Sequence, residues 1–338
     1  MKIEKSDIND YTELAGTCSD WTSRKSLWGV APVAPIHLGF DSLVLLQKEA
    51  ISLGVKRHYV IIADLHALMT KGMTWKENRA RSYYYEFYFK EICKLENTDF
   101  LLGSFFQTRT DYVEELYSSM RDISLSKVRE TMPSSAKNQT VYSFVAVYAL
   151  MQCLDIFHVN ANYVLAENAQ KKIYDLVPDI ANSFIQRTGI ERNFTTGLNK
   201  MSFAYVKPAY DILGQNLNLS SSGSRISIHE TDTSLIKKIK KMSIPPLGAT
   251  FLANPLLETF KFSVFPWFDV VSVKGLNGSI KEYYDFKQFE SDYYNQVFHS
   301  IDAKNELYLK LRERISTTQS LMAKGITNWI NIDKAASI

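Results

Sequence analysis

The chain has 338 residues, 46% of them hydrophobic and 22% charged, and its 39 basic and 36 acidic side chains leave a formal net charge of +3. This is the ordinary composition of a soluble globular protein; the charge is too small to imply a nucleic-acid binder by itself and does not exclude a local basic face. Three widely spaced cysteines, Cys18, Cys93 and Cys153, fit neither a disulfide framework nor a cysteine metal site, and suit a reducing compartment.

The N-terminal MKIEKSDINDYTEL is acidic and polar, unlike a secretory signal, and no apolar run approaches the roughly 20 residues of a membrane span. A cytoplasmic protein without membrane attachment is expected. Further along, LWGVAP (27–32) is a short apolar run ending in proline, and FDSLVLLQKEAISLG (40–54) has helical spacing with a glycine stop. HYVIIADLHALM (58–69) opens with a dense apolar run of strand length, as parallel strands covered on both faces do. Strand, helix, strand predicts a βαβ unit and a parallel sheet.

RARSYYYEFYFKEICKLE (79–96) reads as a helix, TDFLLGSFF (98–106) as a strand and DYVEELYSSMRDIS (111–124) as an amphipathic helix. YSFVAVYALMQCLDIFHV (142–159) is a strongly apolar helix, and NAQKKIYDLVPDIANSF (168–184) continues with helical periodicity. The texture breaks at the serine-rich GQNLNLSSSGSRISIHETDTS (214–234), followed by SLIKKIKKM and a long charged helix at AKNELYLKLRERISTTQSLMAKGI. A boundary near 235 divides an α/β region, 1–235, from a smaller, mostly helical region, 236–338.

His37 stands in PIHLGF, between an apolar run and a helix, where free N–H groups favour an anion and Gly39 admits close approach of a ligand. Alone this H-x-G would fit a plain loop histidine better. The blocks that follow, in order, change that balance: Trp28-Gly29 and Ile36-His37-x-Gly39; Ala63-Asp64-Leu65-His66-Ala67; Tyr148, Gln152 and Asp155 on the apolar helix; Gln170-Lys171-Lys172-Ile173; and the serine loop. Collinear over roughly residues 25 to 322, they resemble the tyrosyl-tRNA synthetases of the archaeal and eukaryotic type. The resemblance implies a Rossmann-like class I synthetase catalytic domain followed by an anticodon-binding-like helical domain.

It also implies roles. Tyr148, Gln152 and Gln170 match the residues around the substrate ammonium, Asp155 matches the acceptor of the substrate phenol's proton, and Asp64 lies in the same pocket. Leu27 stands where the family has the tyrosine that partners this phenol, and Val164 where it has a glutamine. The nucleotide side, Trp28, Gly29, His37, Gly39 and Phe40, has lost its glycine pair, which reads Ala166-Glu167, while Ala169 replaces a ribose-holding carboxylate. The mobile loop keeps Ser220, Ser221 and Ser222, but no lysine; Arg225 is its nearest cation. Removing one preorganised donor to a developing oxyanion costs about 100- to 1000-fold in rate. Lys237, Lys238 and Lys241 fit either a tRNA contact or a solvated helix face.

Three readings follow: an enzyme that activates an amino acid, aromatic-like by the family pattern, with ATP and Mg2+; one that transfers an amino acid from charged tRNA; and an inactive pseudo-synthetase that binds tRNA or a protein. The first two, grouped as a divergent synthetase-derived enzyme, are favoured. No resident metal or tightly held cofactor is expected. The apolar residues of DYVEELYSSMRDISLSKVRETM and TVYSFVAVYALM predict a homodimer.

Overall fold

The structure is a computed structural model that describes residues 21–70, 73–131, 144–188, 201–207, 209–215, 224–246 and 253–334. These fall into two compact units, one formed by 21–33 with 46–207 and the other by 34–45 with 209–334. The residues from 209 onward, including the described part of the polar stretch 214–234, therefore group with the C-terminal helices and with the His37 segment.

The first unit is built on five parallel strands in the order β3-β2-β1-β4-β5. They are β1 (Lys25–Val30), β2 (Arg57–Ile62), β3 (Thr98–Leu102), β4 (Tyr163–Glu167) and β5 (Ser202–Val206). The order reverses between β1 and β4, where Leu27 pairs with Val164. In open parallel sheets ligands bind at the carboxyl ends of the strands beside such a switch point. The βαβ expectation is met: α1 (Asp41–Ser52) separates β1 from β2, and the apolar run 59–62 is buried.

Helices α2 (Asp64–Thr70) and α3 (Trp75–Phe87) follow β2, and α3 passes into a π-turn at Tyr88–Ile92. Thr74 and Glu77 form a capping box that starts α3. The run 98–106 is a strand only as far as Leu102; Gly103–Gln107 form the short helix α4, because Asp64 accepts from the Ser104 amide (2.8 Å) and so caps a new turn there. Next come α5 (Thr110–Asp122), α6 (Leu125–Glu130) and α7 (Phe144–His158), the last packed against β1, β2 and β4 through Leu150, Leu154 and Phe157.

The stretch 168–184, continuous in its periodicity, is broken: a 3-10 turn at Asn168–Gln170, then α8 (Lys171–Tyr174) and α9 (Val177–Thr188). Cys93 and Cys153 are buried and are not joined in a disulfide. Among the described residues no helix is long and apolar enough to cross a membrane.

The second unit carries α10 (Asp232–Lys241), α11 (Pro255–Thr259) with a π-turn at Phe260–Val264, the antiparallel hairpin β6 (Val271–Lys274) and β7 (Ile280–Tyr283), α12 (Phe286–Tyr294), the long α13 (Ser300–Gly325) and α14 (Trp329–Lys334). Its core is aromatic, with Phe260, Tyr283, Phe286, Phe289 and Phe298 packed on Leu307 and Leu311 of α13. Asn254 caps α11 through Oδ1, which accepts from the Leu257 amide (3.2 Å), with Pro255 in the first turn where its missing N–H costs nothing.

Candidate active site

Tyr148, Gln152 and Asp155 lie at i, i+4 and i+7 on α7 and so share one face. Gln152 and Asp155 are buried, and Tyr148 is half-buried with its ring edge-on to His66 at 4.6 Å. Gln152 lies beside the Tyr174 phenol, and its Nε2 is buried without a hydrogen-bond partner. Gln170 closes a reciprocal cap with Glu167: its Oε1 accepts from the Glu167 amide (3.4 Å) and its own amide donates to the Glu167 carboxylate. The carboxylate that replaces a glycine of the family pattern is thereby turned onto the backbone of its own turn. Ala169, in the same turn, is exposed.

Asp155 has partners that the sequence does not announce. Gln107 Nε2 donates to both of its oxygens (2.8 and 3.0 Å), and the Tyr112 hydroxyl lies 2.8 Å from Oδ1 and 3.0 Å from the Met151 carbonyl. Burial pushes the Asp155 carboxyl up to about 7, against the opposing pull of these two donors. The only sequence signal for the pair is negative: a carboxylate on so apolar a helix needs donors somewhere. Leu27 and Val164, where the family pattern has polar groups, are sealed in the core beside α7. The polar groups at the side-chain end are Asp155, Gln107 and Tyr112, with the His158 ring 4.5 Å from that of Tyr112.

Asp64 begins α2 just past the end of β2. Its Oδ1 accepts from the Leu65 and Ser104 amides (3.0 and 2.8 Å), tying α2 to α4, and its Oδ2 is buried without a partner. A Cβ at Gly103 would sit 2.6 Å from Gln107 Oε1 and 3.0 Å from Asp64 Oδ1. A side chain there would have to displace the Gln107 amide, which holds Asp155. Trp28 is packed edge-on against Phe89 (4.8 Å) inside the core, whereas a Cβ at Gly29 would touch nothing within 4 Å.

In the second unit, His37 is the cap of a 3-10 turn, Leu38–Phe40, that runs into α1. The turn is stitched to 226–228: Leu38 donates to the Ile226 carbonyl (2.9 Å), Ile228 donates to the Ile36 carbonyl (3.1 Å), and His37 bridges Ser227. His37 Nδ1 accepts from the Gly39 amide (3.1 Å), so Nε2 carries the proton of the neutral ring. That Nε2 is buried and has no acceptor. Burial first, and the charge of Arg225 second, lower the ring to about 3, so it stays neutral at every ordinary pH. Phe40 stacks on it at 4.7 Å.

A cleft opens beside this turn, lined by Leu38, Gly39, Asp211, Arg225, Ile226 and Phe262. Asp211 is spent internally: its Oδ1 accepts from the Leu213 and Gln215 amides (2.8 and 2.9 Å) and its Oδ2 from the Ser224 hydroxyl. Ser220, Ser221 and Ser222 lie outside the described residues.

Of the three lysines, Lys237 and Lys241 are exposed on α10, opposite its buried Leu235 and Ile239. Lys238 is turned inward, donating to the Arg225 carbonyl (2.5 Å) and to Glu230. Its charge neutralises a buried carboxylate.

The model of the family described as tRNA synthetases class I (W and Y) matches residues 22–316. The tyrosine–tRNA ligase of Halorubrum lacusprofundi is 25% identical over 330 residues, which cover 92% of this chain and 94% of that protein. Two solved structures share the fold. The tyrosyl-tRNA synthetase of Archaeoglobus fulgidus in complex with L-tyrosine has a TM-score of 0.73 at 23% identity, covering 89% of this chain and 90% of that one. The tyrosyl-tRNA synthetase of Aeropyrum pernix has a TM-score of 0.75 at 21% identity, covering 93% and 90%.

Proposed function

The chain belongs to the tRNA synthetases class I (W and Y), and from that membership we propose that it is a divergent aminoacyl-tRNA ligase. It activates an aromatic-like amino acid with ATP and passes it to tRNA. The observation that carries this reading is the His37 turn: a buried neutral imidazole with a free Nε2–H, held on a stitched turn beside an open cleft, is a preorganised donor for a phosphate oxygen. ATP enters with its Mg2+ as substrate. In the first step an amino-acid carboxylate oxygen bonds to the α-phosphorus, the bond to the bridging oxygen breaks, and pyrophosphate leaves with the electron pair. His37 donates to the phosphate oxygens as charge builds, and Arg225 supplies the nearby positive charge.

The amino acid is held along the Tyr148–Gln152 face of α7 and by Gln170, with Asp64 at the pocket edge. Asp155, half-neutral near pH 7 and already holding two donors, meets the distal end of the side chain. Where the loop lacks lysine, pyrophosphate departure is slow. The test is ATP–pyrophosphate exchange with each aromatic amino acid, together with ligand-induced thermal shift. Tyrosine or a close analogue is expected to raise the melting temperature of the wild type and not of Gln152→Ala. Identical melting curves with all twenty amino acids, and no exchange, would leave the tRNA- or protein-binding reading standing instead.

The tRNA meets the exposed face of α10, in the cytosol. Each lysine–phosphate contact adds a unit to the salt dependence, so reversing Lys237 and Lys241 to Glu lowers the slope of log affinity against log salt by about 2. Reversal of Lys238 acts differently, by unfolding its Glu230 contact. A slope indifferent to Lys237 and Lys241 would remove this face from the interface. The chain pairs with a second copy through α5 and α6, which expose Tyr117, Met120 and Leu125; sedimentation should give twice the chain mass, and Tyr117→Lys one chain mass.

A further inference from the structure

Asp41, the first residue of α1, lies two residues after Gly39, yet its carboxylate is buried and engaged far along the chain. Arg314 of α13 holds it with both arms of its guanidinium, Nη1 to Oδ2 at 2.6 Å and Nη2 to Oδ1 at 2.7 Å. The Ser263 hydroxyl donates to Oδ2 (2.6 Å), and Arg314 Nη1 also donates to the Ser263 carbonyl (2.9 Å), which belongs to the π-turn after α11. The guanidinium lies 4.0 Å over the Trp267 ring. Residues 273 positions apart are thus joined by a two-armed, water-excluded ion pair.

Such a pair is a poor stabiliser. Taking both ions out of water cancels most of their attraction, and apolar residues of equal volume often do as well or better. What the planar fork supplies is orientation, since both bonds are met at one setting of the two backbones. The settings it fixes bear on the cleft. Ser42, the neighbour of Asp41, and Ser263 both line it, and the His37–Gly39 turn ends where α1 begins.

We propose that Asp41 and Arg314 are positioning residues for nucleotide use: the pair fixes the start of α1 against α13 and the π-turn, and through it holds the His37–Gly39 turn in the geometry the phosphates require. Neither touches substrate. The kinetic part rests on the activation reading above; the positioning part does not.

The test uses the full chain carrying Asp41→Leu with Arg314→Met, which removes both charges together, beside Arg314→Lys, which keeps the charge and loses the fork. Removal of one partner alone would strand a buried ion and is avoided. Hydrogen exchange is followed at Leu38 and Phe40, whose amides donate to the Ile226 and His37 carbonyls (2.9 and 3.1 Å), and at the amides of β2. Both variants are expected to exchange about tenfold faster at Leu38 and Phe40 with β2 unchanged. In pyrophosphate exchange, kcat/KM for ATP falls about 100-fold while KM for the amino acid holds. Leu38 and Phe40 as protected as in the wild type, in either folded variant, overturns the proposal. Faster exchange there with unaltered ATP kinetics overturns its catalytic half. A wild type that supports pyrophosphate exchange with none of the twenty amino acids removes the activation reading, and the hydrogen-exchange result still decides the positioning.

Discussion

His37→Asn slows ATP–pyrophosphate exchange by about 100- to 1000-fold, the usual cost of one preorganised donor to a developing oxyanion. Asparagine keeps an acceptor, Oδ1, near the place of Nδ1, where the Gly39 amide donates, so the turn is retained. It has no donor that reaches the place of Nε2. His37→Gln reaches that place with its own amide N–H, and recovers a substantial part of the rate. The loss falls on kcat with little change in KM for the amino acid, because the group acts on charge that exists only in the transition state. Since burial holds the imidazole at about 3, the wild-type rate shows no step near pH 6.5 that disappears in His37→Asn. Such a step would mean that the ring works as a cation, and the donor assignment would be wrong.

The part of this chemistry that was legible in the sequence is the part carried by local spacing. The run before Asp64, the glycine two residues past His37, and the i, i+4, i+7 set on α7 are all set by neighbours within one or two turns. The missing lysines and the Ala166-Glu167 replacement are also plain in the sequence. What escaped is what distant chain positions decide. Gly103-Ser-Phe-Phe-Gln107 follows a strand and is as apolar as one, yet it turns helical because Asp64, 40 residues earlier, accepts the Ser104 amide. Gln107 and Tyr112 reach Asp155 from 48 and 43 residues away, and no periodicity marks them.

The lysine run of α10 shows the same limit. Lys237, Lys238 and Lys241 are equivalent in composition, and only the placement of Glu230 beside the Arg225 carbonyl draws Lys238 inward. The short buried strands Tyr163–Glu167 and Ser202–Val206 likewise give little periodic signal, because every or nearly every residue in them is buried.

Stability falls steeply on mild acidification, by about 2.7 kcal/mol per pH unit at its steepest between pH 6.5 and 5. Three imidazoles are buried and neutral: His37 is lowered to about 3, and His58 and His66 to about 4, in each case first by burial. His58 shares a hydrogen of 2.6 Å span with Ser26, and its Nε2 is buried without a partner; at His66 burial outweighs the opposing pull of the Tyr148 backbone. In the unfolded chain all three titrate near 6.5. As pH falls below that value the unfolded state therefore gains up to three protons that the folded state refuses, and stability drops. Asp155 works in the opposite sense. Its carboxyl, raised to about 7, is protonated in the fold at pH 6 and ionised when unfolded, so its contribution is fully present at acid pH and is lost as pH rises toward 7. Three against one leaves a net two protons, at about 1.4 kcal/mol per proton and pH unit. Against a total of about 5–15 kcal/mol, one unit of pH is a large fraction. Urea midpoints at pH 7, 6 and 5 measure the slope. His58→Gln, which keeps a partner for Ser26 and cannot charge, should halve it, and Asp155→Asn should steepen it by about half. A midpoint that stays level from pH 7 to 5 would show that these imidazoles are charged, and partnered, inside the fold.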